Sequence, residues 1–239
     1  DKTLVDANKM LYAYSLDPLR AGFEFYARYG LIKRVDVGYK YSAGVHVLDA
    51  QYQFLGSLKD VSDDDASADK MYGSIGIQFS QNKFVVTDKF QLDEFQSLLG
   101  YEFSRKDILL PLIFSQSFGK EEMFGALSYG VVYGHTFITY SLTPQKMYTE
   151  YDFTKIYGET HHQHYSSYGL FVNAKGGYKF IYLVSSISTY YQDYKAYRLL
   201  DGKTVRFRGF TFIPSLGIQF KFGSFKKERQ AIKNMIKNV

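Results

Sequence analysis

Apolar and polar residues alternate one by one through residues 207–222. One face of an extended chain would present Phe210, Phe212, Pro214, Leu216, Ile218, Phe220 and Phe222. The other face would present Gly209, Thr211, Ile213, Ser215, Gly217, Gln219 and Lys221. Period-2 alternation predicts a β-strand, and about 16 residues is far longer than the usual strand of roughly 5–6. Such an apolar face suits a tilted strand that crosses a bilayer, which needs about 9–11 residues with polar or small side chains towards the lumen.

The same alternation recurs along most of the chain, between polar or glycine-containing turns. It predicts about twelve strands, an even number typical of single-chain bacterial barrels, although about ten or fourteen also fit. The predicted strands are 10–16, 20–29, 34–42, 46–56, 70–80, 96–104, 108–118, 123–133, 136–143, 166–175, 178–191 and 207–222. We therefore expect an all-β protein, with a transmembrane antiparallel up-and-down β-barrel over residues 10–222. The first predicted strand has the weakest pattern.

The end of the last strand has a polar residue, a glycine and two spaced aromatic residues, namely Ser215, Gly217, Phe220 and Phe222. This arrangement resembles the insertion signal of bacterial outer-membrane β-barrel proteins. The resemblance covers about eight residues and implies an outer-membrane location in a diderm bacterium. It also implies contact with outer-membrane lipid and with barrel-insertion machinery, and a periplasmic end for the last strand. The chain departs from the family pattern because it continues beyond Phe222.

That orientation predicts which connections lie on each side of the membrane. The predicted periplasmic turns are short and lie near 30–34, 105–107, 134 and 176–177. The predicted extracellular loops are long and cover 81–95, 144–165 and 192–205, the usual asymmetry of such barrels. The long acidic segment 57–69 falls on the periplasmic side, against that rule. Residues 1–9 are expected to form a periplasmic N-terminal segment.

Residues 223–239 differ in character from the strands. Apolar residues recur there at helical spacing among several lysines, which predicts a short, basic, amphipathic periplasmic helix. It is expected to lie on anionic inner-leaflet lipid, to cap the barrel mouth or to bind a periplasmic partner. A solvated tail is the alternative, since so short a helix is marginal without a surface to pack on.

Composition narrows the chemistry that the chain can perform. Aromatic residues make up 18% of the chain although Trp is absent, and mean hydropathy is −0.24. The chain contains no run of about 18 apolar residues, so the sequence predicts no membrane-spanning helix. The absence of Cys excludes disulfides, thiolate metal sites and cysteine nucleophiles. The net charge of +5 is mild and no basic patch is interleaved with aromatics, so no nucleic-acid partner is predicted.

Charged residues on the lumen-facing positions of the first hairpin form the candidate site. Pairing about residues 30–34 places Arg28 opposite Asp36 and Glu24 opposite Lys40, and a four-residue turn near 43–46 brings Asp49 beside Lys40. The predicted lumen constriction is Glu24, Arg28, Asp36, Lys40 and Asp49. These charges either fill and stiffen the barrel or act as a filter, since rings of charged side chains select solutes in pores.

Three functions are consistent with this pattern. We expect porin-like transport, the passive passage of small polar solutes or ions through a narrow charge-lined lumen. The alternative is a non-conducting structural or docking barrel that binds proteins through its outer loops or C-terminal tail. The third is a lipid-modifying outer-membrane enzyme. An open lumen favours the first, a filled lumen the second, and a Ser or His at the lipid boundary the third.

The sequence predicts no enzyme, no catalytic residue and no cofactor. His161, His162 and His164 are weak candidates for Zn or Cu ligands with Glu159, and a hydrated loop is the plainer interpretation. The aspartates of segment 57–69 lack EF-hand spacing. Ser42, His46 and Asp49 imitate a Ser–His–Asp set, but such residues are common near a single turn.

Overall fold

A computed structural model describes most of the sheet-forming part of the chain. The described residues are 5–6, 9–10, 12–13, 16, 24–42, 45–56, 71–84, 101–118, 124–142, 158–178, 181–199 and 202–220. Within them, nine strands form one antiparallel up-and-down sheet, in which each strand is hydrogen-bonded to the next along the chain. The strands are β1 (Glu24–Ile32), β2 (Val35–Ser42), β3 (Val45–Leu55), β4 (Met71–Phe84), β5 (Tyr101–Phe118), β6 (Gly125–Leu142), β7 (Glu159–Tyr178), β8 (Ile181–Arg198) and β9 (Thr204–Phe220).

The all-β prediction is confirmed, but the prediction of about twelve strands is wrong for the described part of the chain. The predicted strands 96–104 and 108–118 contribute to one strand, β5, and 123–133 and 136–143 to another, β6. The described residues of 10–16 have helical backbone instead of strand backbone. Two predicted turns, near 105–107 and 134, therefore lie inside strands, because the face alternation continues through these polar and glycine residues.

The sheet is open rather than closed into the predicted barrel. Its order runs from β1 to β9, and β1 and β9 are not hydrogen-bonded to each other in the described residues. With an odd number of alternating strands, β1 and β9 run in the same direction. Direct closure between them would need a parallel pair, unlike every other pair in this sheet.

One face of the sheet, here called the outer face, has an apolar belt about 11 residues tall on most strands. The belt covers 71–79 of β4, 108–118 of β5, 127–137 of β6, 168–178 of β7, 181–191 of β8 and 210–220 of β9. Many large apolar side chains of the belt are exposed: Leu170 is 63% exposed and Leu216 is 75% exposed. Apolar surfaces of this extent are rare on monomeric soluble proteins.

Beyond the belt, five strands continue into what we call the extension. It comprises 101–107, 138–142, 159–167, 192–198 and 204–209. The polarity of the two faces reverses there. The inner face buries the aromatic cluster Tyr101, Phe103, Ile138, Tyr140, Tyr165, Tyr194 and Tyr197, with Tyr12 and Leu16 from the helical residues packed into it. Polar residues, such as Glu102, lie on the outer face.

Some of the predicted features lie outside the described residues. They are Phe222, the C-terminal tail 223–239, and almost all of the segments 57–69 and 81–95. None of the described helical residues belongs to a helix long and apolar enough to cross a membrane.

Candidate functional site

Arg28 on β1 is the centre of a polar cluster on the inner face. Its guanidinium contacts the Asp49 carboxylate and donates hydrogen bonds to Gln51 Oε1 and the Tyr26 hydroxyl. The side chain of Asp49 is only 2% exposed, whereas that of Arg28 is 25% exposed. Gly38 lies opposite both residues, and any side chain there would overlap the Asp49 carboxylate. The glycine therefore makes room for the ion pair.

A second ion pair joins Lys40 to Glu24, with 2.8 Å between Lys40 Nζ and Glu24 Oε2. The Ser42 hydroxyl donates to the other carboxylate oxygen of Glu24 at 2.6 Å. Both side chains remain partly exposed, at 36% and 46%. The predicted partnership of Lys40 with Glu24 is present, but as a diagonal pair.

The register differs from the predicted one by two residues. Arg28 lies opposite Gly38 instead of Asp36, and Glu24 lies opposite Ser42 instead of Lys40. The connection is a tight turn at residues 33–34, in which Arg34 takes a positive φ of 68°. Only the second of the two turn residues has a positive φ, and the register shifts between Gly30 and Ile32 next to the turn.

All five predicted constriction residues lie on the inner face, because a shift of two residues preserves the face. Asp36 is opposite Gly30 on β1 and Gln51 on β3. Asp49 is opposite Gly38 and contacts Arg28, so the predicted cluster of Glu24, Lys40 and Asp49 does not form.

A third charged pair, which the sequence analysis missed, lies on β5. Arg105 Nε donates to both Asp107 oxygens, at 2.8 and 2.9 Å. Asp107 also accepts hydrogen bonds from Thr136 Oγ1 at 2.5 Å and from Ser80 Oγ at 3.3 Å. The i, i+2 spacing of the pair was a usable signal, since it places both side chains on one face of a strand. The sequence analysis did not use this spacing, because it interpreted residues 105–107 as a polar turn.

The three pairs belong to one band across the sheet. Lys40 lies opposite Val47, Val47 opposite Ser80, and Ser80 opposite Asp107. We call this band, from Glu24 on β1 to Thr136 on β6, the charged row. It lies on the inner face where the apolar belt meets the extension. Its alternating cations and carboxylates could interact with a polar solute at several points.

The aromatic cluster covers the inner face directly beyond the charged row. Tyr12 is fully buried, with ring centroids 5.6 Å from Tyr101, 5.2 Å from Tyr140 and 5.0 Å from Tyr197. Arg105 Nη1 donates to the Leu16 carbonyl oxygen at 3.0 Å, and the Tyr12 hydroxyl donates to the Arg198 carbonyl at 3.3 Å. The helical N-terminal residues are thus hydrogen-bonded to Arg105 of the charged row and to the backbone of β8.

Below the charged row, the inner face is partly polar and partly apolar. Serines pair across neighbouring strands, Ser115 with Ser128 at 2.6 Å and Ser186 with Ser215 at 2.5 Å. In contrast, Pro111 and Val132 are buried opposite each other on β5 and β6. Polar and apolar pairs therefore follow one another along the same two strands, β5 and β6.

The weak metal candidates do not converge on one point. His161 lies on the inner face, where its ring stacks on Tyr140 at 5.1 Å and Nε2 is 3.1 Å from Glu159. His162 and His164 are exposed on the outer face, because alternate residues of β7 point in opposite directions. No group of three metal-ligating side chains is found among the described residues. The segment 159–165 is strand, not the predicted loop.

Ser42, His46 and Asp49, which imitate a catalytic triad in the sequence, do not share one face of the sheet. His46 lies on the outer face and contacts the Tyr39 hydroxyl at 2.7 Å, whereas Asp49 lies on the inner face. A different Ser–His pair is present at the edge of the belt: His135 Nδ1 is 3.2 Å from Ser166 Oγ. No carboxylate contacts His135 in the described part of the chain. The pair therefore lacks the acid that orients histidine in a triad.

The residues that resemble an insertion signal lie on β9 as the alternation requires. Ser215 and Gly217 are on the inner face, opposite Ser186 and Val184, while Phe220 is 56% exposed in the belt. Phe222 is outside the described residues. Comparison with protein families, with curated proteins and with solved structures gave no match for this chain.

Proposed function

We propose that this chain is an outer-membrane protein of a diderm bacterium that gives small polar solutes or ions a passive route along its inner face. One observation supports this function above the others. The outer face is an apolar belt, whereas the inner face at the belt's edge has a row of paired charges. A protein in water has no reason to place its large apolar side chains outward and its ion pairs inward.

The dimensions of the belt favour a bilayer. About 11 residues at roughly 3.3 Å each, tilted by about 45°, reach about 25 Å, the height of the apolar band of outer-membrane barrels. Aromatic side chains occupy its rims, including Tyr191 and Phe210 at one and Phe220 at the other. Lipid offers no hydrogen bonds to a sheet edge, so β1 and β9 must be paired in the membrane, with each other or with another chain.

The route is closed at one end in this conformation. Tyr12 fills the space between Tyr101, Tyr140 and Tyr197, and Arg105 holds the Leu16 carbonyl. We interpret these N-terminal residues as a plug over the charged row. Passage then requires the plug to leave, and the charged row selects what enters, as rings of charge do in other pores.

Conductance of the refolded full chain in a planar bilayer tests this function. Lys40→Glu replaces a cation of the charged row by an anion and should shift ion selectivity towards cations. Lys106→Glu makes the same change on the outer face of β5 and should leave selectivity unaltered. Tyr12→Ala removes the plug side chain that packs between Tyr101, Tyr140 and Tyr197, and it should raise the fraction of time spent open.

Heat-dependent migration on a denaturing gel would show that each protein is folded. If neither the folded wild-type protein nor the folded Tyr12→Ala protein conducts ions, the proposed passage of solutes is rejected. The docking function would then be favoured, because the aromatic cluster already fills one end of the inner face. Equal selectivity changes in Lys40→Glu and Lys106→Glu would reject the charged row as the filter.

A further inference from the structure

A recess of about 370 Å³ opens where the edge strand β9 meets the helical N-terminal residues. Its lining residues are Ala13, Leu16, Tyr194, Arg206, Phe207, Arg208, Gly209, Phe210 and Thr211. The volume lies in the usual range of small-molecule sites, roughly 300–1,000 Å³. The recess lies along the edge of β9 that is unpaired in the described residues, and it takes its lining from both faces of that strand: Phe207, Gly209 and Thr211 are on the inner face, Arg206, Arg208 and Phe210 on the outer face.

Two kinds of wall meet in this recess. Leu16, Phe207 and Phe210 supply apolar surface, and Arg206 and Arg208 supply positive charge. Arg206 is already paired, with its Nε 3.0 Å from Asp193 Oδ1 and its Nη2 on the other carboxylate oxygen. Arg208 is exposed on the outer face, opposite Asp193 on β8. Within the described residues the Asp193 carboxylate forms its ion pair with Arg206 and not with Arg208. The walls therefore retain one positive charge that is available to a ligand.

The recess also straddles the edge of the apolar belt. Phe210 is the first belt residue of β9 and is 67% exposed, while Arg208 lies two positions further into the extension on the same face. In a bilayer, the phosphate headgroups lie just outside the hydrocarbon at this level. A guanidinium is the side chain best suited to hold a phosphate, through parallel N–H donors.

We propose that this recess binds one phosphate-bearing lipid, with its phosphate on Arg208 and an acyl chain along Phe210. This inference rests on the proposed membrane location. The apolar wall favours a lipid over free phosphate, which would use only the arginine. Basic pockets that open towards lipid headgroups bind anionic lipids in other membrane proteins.

The test is binding of a short-chain phosphatidic acid to the full chain in a neutral detergent, measured by native mass spectrometry. We expect saturable binding of one lipid per chain. Arg208→Gln should weaken it about tenfold, the effect of losing a charge-assisted hydrogen bond. Lys106→Gln removes an exposed cation of the same extension on β5 and should change it less than twofold.

Two further probes separate the possible ligands. Phosphatidylcholine of the same chain length should bind more weakly, because its headgroup has no net charge. Inorganic phosphate should not compete at matched concentration. Equal binding by the Arg208→Gln protein, equal binding of phosphatidylcholine, or displacement by inorganic phosphate would each overturn the proposal.

The assay is done in detergent, so it does not depend on passage through the protein. A silent bilayer recording together with the expected lipid binding would reject the channel and leave the recess intact. Conversely, a conducting protein whose lipid binding is unchanged by Arg208→Gln would reject the recess alone.

Discussion

The apolar belt and the extension are parts of the same strands, yet they have opposite polarity. On β6, belt residue Val131 is 48% exposed on the outer face, and extension residue Tyr140 is 2% exposed on the inner face. The pleat fixes only that neighbours alternate. Which face is apolar depends on what surrounds the strand: lipid would surround the belt, whereas water surrounds the extension. The change from one pattern to the other falls near Lys106 and Arg208, where the proposed membrane location would put the boundary of the bilayer.

The largest expected effect comes from truncating a ring of the aromatic cluster. Tyr140→Ala should lower the free energy of unfolding by about 3–5 kcal/mol, because the side chain is buried and the space it leaves is lined by other rings. Tyr168→Ala, in the belt, removes the same atoms from a side chain that is 63% exposed and should cost about 1 kcal/mol or less. Urea unfolding of the refolded proteins measures both.

Similar losses at Tyr140 and Tyr168 would contradict the comparison, because they would place both rings in one continuous core. If Tyr140→Ala only releases the N-terminal residues from the cluster, the unfolding transition of the sheet should stay unchanged. Fluorescence and circular dichroism followed together distinguish these cases, since coincident transitions indicate a single cooperative unit.

A charge on the outer face gives the next largest effect and tests the membrane boundary. Leu170→Arg places a cation in the middle of the belt and should cost about 2–4 kcal/mol of stability in a bilayer. His162→Arg lies on the same face of the same strand, in the extension, and should change stability by about 0.5 kcal/mol or less. Unfolding in phospholipid vesicles gives the two values.

A soluble protein would give the reverse order. If water covers the belt, Leu170→Arg removes an exposed apolar side chain and should be neutral or improve solubility. That result would reject the membrane location, and with it the proposed passage.

The faces of the strands were predictable from the sequence, whereas the strand boundaries were not. Alternation through residues 207–222 gives the correct belt residues on β9, because the period of a strand is independent of its length. Polar residues inside a strand resemble a turn when each is considered alone. Arg105 and Asp107 are the clearest case: they form an ion pair within β5.

A rule that holds in the belt fails in the extension. In a membrane barrel polar residues face inward, but Glu102 lies on the outer face. Tyr101 and Phe103 are buried on the other side. Whether lipid or water surrounds a segment would decide between the two arrangements, and local sequence does not specify this.

The ion-pair partners of the charged residues could not be predicted from the sequence either. A shift of two residues keeps Arg28 on the inner face but exchanges Asp36 for Asp49 as its ion-pair partner. The tight turn at Arg34 sets that register. Tyr12 gave no signal either, since its neighbours in the cluster are far away in the sequence and meet only in the folded sheet.

The smallest expected effect concerns an ion pair of the extension, outside the belt that ends at Tyr191 and Phe210. Hydrogen bonds from Arg206 lower the pKa of Asp193 from 3.8 to about 2, against a smaller opposing effect of burial. A lowered pKa stabilises the folded protein above pH 3.8, and the contribution disappears as the pH falls through about 2. Asp193→Asn should therefore lower the melting temperature by about one or two degrees at neutral pH, as is usual for surface pairs. The wild-type and variant melting curves should converge near pH 2.

Glu102→Gln, at an exposed carboxylate of the same extension, is the matched control. The register of β8 and β9 shifts between Asp193 and Ala196. A difference that persists at pH 2 would mean that Asp193 stabilises this irregularity through its shape and not through its charge.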